Sequence, residues 1–263
     1  FFERSNGFRP NRSAENAIAQ VYKMIQTQHL YYVVDVDIKS FFDNVSHGKL
    51  LKQMWTMGIQ DKQLLKIISL MLKAEVAGIG FPEKGTPQGG IISPLLSNIV
   101  LNELDWWVAS QWETLPTKKV YKGKELKTGT VDRSSTYVAL RKSNLKECYI
   151  VRYADDFKIF CRKRSDAVKI FEAVKLWLKE RLGLEISPEK SKIVNLKKSY
   201  FEFLGFKITA TTKGKDSKGN PKYVVKSMLT DKAIRKIKKK ASQTVKLIEK
   251  PINDKEEFKH IAF

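Results

Sequence analysis

The chain has 263 residues, 42% of them hydrophobic, which is enough material for one large globular domain or two smaller ones and argues against disorder. A formal net charge of +21 indicates a polyanionic partner and makes nucleic acid the first candidate. No apolar stretch approaches the about 20 residues of a membrane span, and the N-terminus lacks the order of a signal peptide, so we expect no membrane partner.

The N-terminal segment predicts a helix followed by a strand. Apolar residues at helical spacing predict a helix over residues 13–30, with Ser13 as its N-cap. The next stretch, YYVVDVDI, alternates β-branched residues with Asp35 and Asp37, which predicts a strand whose last exposed position is Asp37.

The middle of the chain reads as three helices and a polar segment. Two helices are predicted over 44–57 and 61–73, and a Gly- and Pro-rich loop follows them. A long buried helix then begins with Ser93 as a capping residue and Pro94 in its first turn. Residues 113–147 are polar and basic, which predicts a surface insertion or a paired ribbon.

The stretch CYIVRYADDFKIFCR predicts a β-hairpin. With Ala154 and Asp155 as the turn, Tyr153 pairs with Asp156 and Cys148 with Cys161. Alternation then gives one core face and an opposite mixed face suited to a groove. The two cysteines are too few for a disulfide framework, and we expect them to remain buried thiols.

Two adjacent carboxylates in this apolar hairpin require a compensating charge, because they repel by about 4 kcal/mol at a protein-like dielectric. Arg152 and Lys158 could supply ion pairs, or a divalent cation could supply more charge at one point. The hairpin alone leaves both alternatives open, together with a simple turn-forming role for Asp155.

The C-terminal third is the most basic part of the chain. From Lys190 to Lys250 there are 18 Lys or Arg against 4 Asp or Glu. A basic helix near 231–249 could be a solvated face, but the excess of one sign favours contact with a phosphate backbone. Other elements are predicted as a helix at 165–182, a short strand at 184–187, a hairpin around 192–209 and a solvent loop at 213–222.

Asp37 and the pair Asp155 and Asp156 occupy the same kind of position, at the end of a strand and at one sheet edge. Three carboxylates that converge there would hold hard divalent cations through oxygen. Two such ions would support phosphoryl transfer, one at the attacking hydroxyl and one at the leaving oxygens.

Six sequence blocks resemble the group II intron-encoded reverse transcriptases, also called maturases. In chain order they are SNGFRPNRS, VDIKSFFDNVSH, GTPQGGIISPLLSNIVLNELD, RYADD, EISPEKSKI and FEFLGFKI. The resemblance implies an α+β right-hand polymerase, with a palm built on a small antiparallel sheet and helices, partial fingers and the start of a thumb. It divides the chain into fingers (1–34), palm (35–45), helices of fingers and palm (46–86), palm with the insertion (87–226) and thumb (227–263).

The resemblance also implies roles for individual residues. Asp37, Asp155 and Asp156 match the family's catalytic aspartates, and the Ile38 backbone carbonyl would complete the coordination of one of two Mg²⁺ ions. The residues that match nucleotide-binding positions are Phe42, Gln88, Gly89 and Lys190. Those near the primer or template are Tyr153, Phe203, Leu204, Gly205, Arg9, Arg12 and Lys192, although Arg9 and Arg12 could equally pack the fingers and Phe203 could be core.

Three other residues of these blocks are expected to be structural. Asp35 does not match a metal-binding position and reads as a polar strand residue. Asp43 looks like a helix cap and His47 like a residue on a helix surface.

The function implied is RNA-directed DNA synthesis from dNTPs on a DNA primer, with the parent protein also binding group II intron RNA during splicing and retrohoming. The rival is a non-catalytic RNA-binding splicing cofactor that keeps the polymerase fold as a scaffold; retention of all three aspartates argues against it. We expect the chain to be a fragment without the first fingers blocks and most of the thumb. Bacterial cytoplasm is the default location, organelles are the alternative, and a homodimer is left open.

Overall fold

The computed structural model describes residues 1–76, 80–86, 90–121, 123, 125 and 131–249. Gln88 and Gly89 therefore lie outside the described residues. The helices are α1 (Ala14–Tyr22), α2 (Phe41–Asn44), α3 (His47–Thr56), α4 (Lys62–Leu72), α5 (Ser93–Ser110), α6 (Ser134–Arg141), α7 (Arg164–Trp177) and α8 (Asp231–Glu249). The strands are β1 (Tyr32–Val36), β2 (Cys148–Tyr153), β3 (Asp156–Cys161), β4 (Lys192–Asn195), β5 (Phe201–Phe203), β6 (Phe206–Lys215) and β7 (Pro221–Leu229).

A four-stranded antiparallel sheet forms the centre of the molecule. Its order is β2-β3-β1-β4, so the hairpin lies beside the strand that leads to Asp37. The hairpin register is the predicted one, with Tyr153 opposite Asp156 and Cys148 opposite Cys161. Both cysteines are buried free thiols, as predicted.

Helices cover one face of this sheet. Trp107 of α5 stacks on Trp177 of α7 at 5.3 Å, and the Cys148 thiol lies 3.8 Å from the Val108 carbonyl. Side chains on the helix-covered face of the hairpin are buried, which confirms the predicted core face.

The opposite face of the hairpin is not the open groove that alternation suggested. Phe160 packs against Phe201 of β5 at 6.0 Å, and Tyr149 contacts Tyr137 of α6 at 6.3 Å. The second sheet, β5-β6-β7, and helix α6 thus bury most of that face. It opens only near the turn, where Tyr153 and Asp156 are half-buried.

Several predicted helix boundaries are confirmed and others are wrong. Ser13 caps α1 through the backbone N–H of Asn16, and a π-helical turn, Lys23–Thr27, extends this helix. The helix predicted at 44–57 corresponds to α3 and starts later than predicted, because α2 ends at Asn44 and Ser46 caps α3. The N-cap residue of α5 is Ile92 rather than Ser93, which is already helical.

The C-terminal strands differ most from the prediction. Residues 184–187 form only an isolated bridge, between Ile186 and Ile38. Strand β4 pairs with β1, and the hairpin joins β5 to β6 instead of spanning 192–209. The loop predicted at 213–222 is shorter, since β6 continues to Lys215 and the unpredicted strand β7 starts at Pro221.

The segment 113–147 is not a ribbon in its described part, because it contains helix α6. Buried side chains at Glu113, Leu140 and Glu147 tie it to the core. Among the residues described, no helix combines the length and the apolarity needed to cross a bilayer.

Candidate active site

Asp37 is the first residue after β1, and backbone contacts fix its position. Its carbonyl accepts a hydrogen bond from the Ser187 N–H at 2.8 Å, and its own N–H donates to the Ser191 hydroxyl at 3.1 Å. The N–H of Lys39 donates to the Glu185 carbonyl at 2.8 Å. These three bonds do not use the Ile38 carbonyl, the backbone oxygen expected to serve as a metal ligand.

Asp155 and Asp156 reach the same place from the hairpin. Asp155 lies in the two-residue turn, and Asp156 is the first residue of β3. Because β3 pairs directly with β1, the turn lies next to the end of β1. All three predicted aspartates line one cleft of about 430 Å³.

The cleft is acidic although the chain is strongly basic. Six carboxylates and three lysines line it: Asp35, Asp37, Asp155, Asp156, Glu189, Glu202, Lys158, Lys190 and Lys192. Excess negative charge in a chain of net charge +21 indicates a site for cations rather than a direct phosphate contact.

Lys158 is the buried cation of the cleft. Its ammonium group lies 2.6 Å from a carboxylate oxygen of Asp35 and 2.6 Å from one of Asp156. Burial works to lower the pKa of Lys158, but the two carboxylates outweigh burial and raise it. Lys158 therefore stays charged and neutralises part of the acidic cluster.

One lysine does not fully compensate two carboxylates. The Asp156 side chain faces the cleft and is 40% exposed, yet the surrounding protein removes much of the water from its carboxylate. This desolvation raises the pKa of Asp156, and the nearby charges of Asp35 and Asp155 act in the same direction against Lys158. The carboxylate thus lies where additional positive charge would stabilise its ionised form.

Asp37 is paired with Lys190, whose ammonium group lies 3.6 Å from its carboxylate. Both side chains are exposed, at 45% for Asp37 and 71% for Lys190, so this pair is weak and the long lysine can move away. Lys192, the β4 partner of Asp35, also lines the cleft.

The donor set fits hard divalent cations, which prefer carboxylate and carbonyl oxygens. Within the described ranges, however, no three acidic, His or Cys side chains are close enough to form a metal cluster. Lys158 and Lys190 supply positive charge to the aspartates in this arrangement.

Phe42 lines a second cavity, of about 300 Å³, that also contacts Asp37, Asp155 and Lys190. Its ring packs edge-on against Phe41 at 5.3 Å, and Phe41 is buried. Phe42 is half-buried, so one side of the ring is fixed by the core and another is free to meet a ligand.

The FLG turn joins β5 to β6. Phe203 pairs with Phe206, and the two turn residues, Leu204 and Gly205, have φ values of 50° and 84°. Phe203 is buried, with the Lys158 ammonium 5.6 Å from its ring centre. The turn is therefore anchored to the acidic cleft through a core residue.

The Arg9 side chain contacts protein rather than open space. Arg9 donates to the backbone carbonyls of Phe2 at 2.6 Å and Ser5 at 2.7 Å, which favours the packing alternative. The backbone N–H of Arg12 donates to the Arg9 carbonyl at 3.3 Å. Tyr153 lies beside the hairpin turn, and the centre of its ring is 6.2 Å from the centre of the Phe8 ring. Contact of Arg12 and Tyr153 with nucleic acid stays a prediction.

Two structural expectations are corrected by the local fold. Asp43 lies inside α2, and Ser46 is the residue that caps α3. His47 is buried rather than on a helix surface, and its Nε2 is 2.7 Å from the Gly85 carbonyl. This contact fixes the loop that returns beneath α2.

Sequence reasoning missed three partners of the site. Asp35 is the polar strand residue that was predicted, but its pairing with Lys158 across β1 and β3 was missed. Ser191 holds the backbone of Asp37 from 154 residues away in the chain. Arg152 binds Asp105 instead of Asp155 or Asp156. Lys158, in contrast, was named as a possible ion-pair partner because it follows Asp156 by two residues on the same face of β3, and it does pair with Asp156.

A comparison with known protein families identifies the family of this chain. Residues 1–208 match the family described as "Reverse transcriptase (RNA-dependent DNA polymerase)". The chain belongs to the reverse transcriptase family. Residue 208 lies in β6, so the match includes the four-stranded sheet and every residue of the acidic cleft.

Relatives of this reverse transcriptase domain include intron-encoded proteins. It is 30% identical over 252 residues to the group II intron-encoded protein LtrA of Lactococcus lactis subsp. cremoris, covering 81% of this chain and 40% of LtrA. It is 29% identical over 238 residues to a putative COX1/OXI3 intron 2 protein of Saccharomyces cerevisiae, covering 79% of this chain and 27% of the yeast protein. Protein YkfC of Escherichia coli is 30% identical over 217 residues, covering 79% of this chain and 55% of YkfC. The chain thus spans about a quarter to a half of these relatives.

Solved structures support the same fold. Apo telomerase from Candida tropicalis superposes with a TM-score of 0.50 at 11% identity, covering 78% of this chain and 35% of the telomerase chain. This likeness concerns the fold alone. Together with the mixed helices and antiparallel sheets, it confirms the predicted α+β right-hand polymerase class.

Proposed function

We propose that this domain is an RNA-directed DNA polymerase that extends a DNA primer with dNTPs on an RNA template. The observation that carries the proposal is the meeting of Asp37, Asp155 and Asp156 in one acidic cleft, from chain segments more than a hundred residues apart. Membership in the reverse transcriptase family supports the choice of reaction.

In this proposal Asp37, Asp155 and Asp156 hold two Mg²⁺ ions, with the Ile38 carbonyl as a further oxygen ligand. When bound, the ions supply activation of the primer 3′-hydroxyl and neutralisation of the charge on the leaving pyrophosphate. Lys190 leaves Asp37 and meets the phosphates of the dNTP, a movement that its exposure allows. Phe42 lies under the incoming sugar at the neighbouring cavity.

The surroundings of the cleft suggest where nucleic acid lies. Glu202 of strand β5 and Tyr200, which precedes that strand, form one wall of the cleft, so the FLG turn that follows β5 is proposed to hold the primer end. Gln88 and Gly89 are proposed to approach the incoming nucleotide. We assign fingers, palm and thumb to the ranges expected from the sequence, with α8 as the first thumb helix.

The parent protein is proposed to act as a maturase that binds group II intron RNA. The intron-encoded relatives support this step, and so does the basic surface of α8.

Primer extension on an RNA template tests the polymerase. The full-length protein that carries this sequence is assayed with dNTPs and Mg²⁺, beside its Asp155→Asn variant. The matched control is Asp61→Asn, because Asp61 caps α4 and asparagine caps helices equally well. We expect extension by the parent and the control but not by Asp155→Asn.

The alternative predicts a different pattern. If neither the parent nor the variant extends a primer while both bind RNA with equal affinity, the domain is a binding scaffold and the polymerase proposal is wrong.

A further inference from the structure

The turn that carries Asp155 rests on a fully buried arginine. Arg152 and Asp105 both have side chains with no exposed surface, between the sheet and α5. The guanidinium donates to Asp105 through Nε at 2.9 Å and Nη2 at 2.6 Å. This bidentate pair fixes the plane of the guanidinium group.

The remaining nitrogen of Arg152 points along the hairpin to the turn. Nη1 donates to the Ala154 carbonyl at 2.7 Å and to the Asn98 side-chain oxygen at 2.8 Å. The Ala154 carbonyl belongs to the peptide bond that joins Ala154 to Asp155. Arg152 therefore holds the backbone immediately before the aspartate.

This turn requires support because its backbone is unfavourable. Ala154 has φ 56°, in the left-handed region that residues with a Cβ seldom adopt. Such conformations persist only where surrounding contacts determine them, and they cluster at functional sites.

The N-terminal segment closes the other side of the turn. Asn98 donates through Nδ2 to the Gly7 carbonyl at 2.7 Å, and Asn6 donates its N–H to the Arg152 carbonyl at 2.9 Å. A methyl group on Gly7 would overlap the backbone nitrogen of Ala154. The turn is thus packed between Gly7 and the Arg152 guanidinium.

We infer that Arg152 is a positioning residue for Asp155, held in place by Asp105 and Asn98. The inference rests on the proposed polymerase function, which it deepens. A purely stabilising ion pair needs only the two bonds to Asp105. The third nitrogen, with its contact to a strained turn beside a reacting carboxylate, serves the placement of that carboxylate.

The test variant is Arg152→Lys in the full-length protein. Lysine keeps the positive charge beside Asp105, but it lacks the planar fork that holds Asp105 and the turn together. We expect kcat for primer extension to fall about 100-fold, because a displacement of about 1 Å in a reacting group has that effect. The KM for dNTP and the affinity for RNA should change little.

A second measurement reports the turn without any activity. Hydrogen exchange of the backbone amides in residues 153–157 should become faster in Arg152→Lys, while amides of α7 keep their protection. The matched control is Arg162→Lys, which alters an arginine bound to Glu147 at the far end of the same hairpin. The control should change neither kcat nor exchange at the turn.

Gly7→Ala approaches the turn from the opposite side and leaves all buried charges in place. It should also lower kcat and speed hydrogen exchange at residues 153–157. If lysine at position 152 prevents folding, the Gly7→Ala variant provides the test of the turn. Unchanged kcat and unchanged exchange in the folded variants would overturn the inference. So would a fall in kcat that follows a general loss of stability, with faster exchange throughout the chain.

The polymerase proposal and the role of Arg152 are tested by separate measurements. If the wild-type protein extends no primer, the polymerase proposal is wrong, whereas exchange at the turn still shows whether Arg152 positions Asp155.

Discussion

Asp35 and Lys158 are direct partners across strands β1 and β3, and their side chains form a 2.6 Å ion pair inside the acidic cleft. The same lysine lies 2.6 Å from Asp156 on its own strand. Strand register alone creates this arrangement, because Asp35, Asp156 and Lys158 all project from the cleft face of the sheet. One buried cation thus links the strand that leads to Asp37 with the hairpin that carries Asp155.

Replacement of Lys158 by methionine should destabilise the fold. It leaves the carboxylates of Asp35 and Asp156 close together without their shared cation, and loss of one partner from a buried pair costs about 3 kcal/mol or more. Urea unfolding at pH 7 measures the change in the free energy of unfolding.

The control for this variant is Lys175→Met, which removes a lysine from an exposed pair with Glu172 on α7. It should change the free energy of unfolding by less than about 1 kcal/mol. Adding Asp35→Leu to Lys158→Met should restore part of the lost stability. Equal unfolding energies for Lys158→Met and Lys175→Met would contradict the role of Lys158.

The sequence predicted those parts of the site that depend on local contacts. A two-residue turn determines the whole register of the hairpin, so the positions of Asp155 and Asp156 followed from their neighbours. Ser13 was found as a cap for the same reason, since a cap acts within three residues.

Sequence patterns did not predict which strands and side chains far apart in the chain pair with each other. Nothing near Asp35 indicates that β1 pairs with β3, and Arg152 lies 47 residues from Asp105. Strand β7 was missed because its side chains are half-buried or exposed without a regular alternation, and because a polar segment precedes it. In each case the decisive partner is contributed by tertiary packing.

Glu147 predicts a pH dependence of stability. Burial works to raise its pKa, but hydrogen bonds from Arg162 at 2.6 Å and Arg141 at 2.9 Å outweigh burial and hold the pKa below its ordinary value of 4.5. A lowered pKa in the folded state adds stability above pH 4.5, and that stability is lost as the pH falls through the folded-state pKa.

Glu147→Gln should therefore be less stable than wild type at pH 7, by about 1.5 kcal/mol or more. The difference should shrink as the pH falls below 4.5. Chemical unfolding at a series of pH values measures it, with the exposed Glu172→Gln as the control. A difference that stays constant between pH 7 and pH 3 would argue against this account of Glu147.

RNA binding should depend steeply on salt because the chain is so basic. Helix α8 presents Lys236, Lys239 and Lys240 on one exposed face. If each contacts one phosphate, changing all three to glutamine should reduce the slope of log affinity against log salt concentration by about 2. Filter binding between about 50 and 200 mM salt gives the slope for the wild-type protein and the slope for the triple variant.

The matched control changes Lys169, Lys175 and Lys179 to glutamine. These lysines are exposed on α7 and the π-helical turn that follows it, on the side of the sheet away from the cleft. The loss of net charge is the same, so only a local phosphate contact distinguishes the two triple variants. Equal slopes for both would mean that α8 does not contact RNA.

Phe42 should decide which sugar the polymerase accepts. Its ring is fixed against Phe41 and faces the cavity that Asp37 and Asp155 also line. A ribose 2′-hydroxyl placed against this ring would meet a steric clash, because the core beneath Phe42 does not yield. Phe42→Ala should therefore raise kcat/KM for ribonucleotides by about 10-fold or more, while kcat/KM for dNTPs changes less.

The control for Phe42→Ala is a phenylalanine outside the site. Phe81 meets this requirement because it is 76% exposed and lines neither the cleft nor the Phe42 cavity. Phe81→Ala should keep the wild-type ratio of dNTP to ribonucleotide incorporation. Selectivity depends on the difference between two transition-state energies, so a general loss of stability lowers both rates and leaves their ratio intact. If Phe42→Ala rejects ribonucleotides as strongly as wild type does, another residue excludes the 2′-hydroxyl and the assignment of Phe42 is wrong.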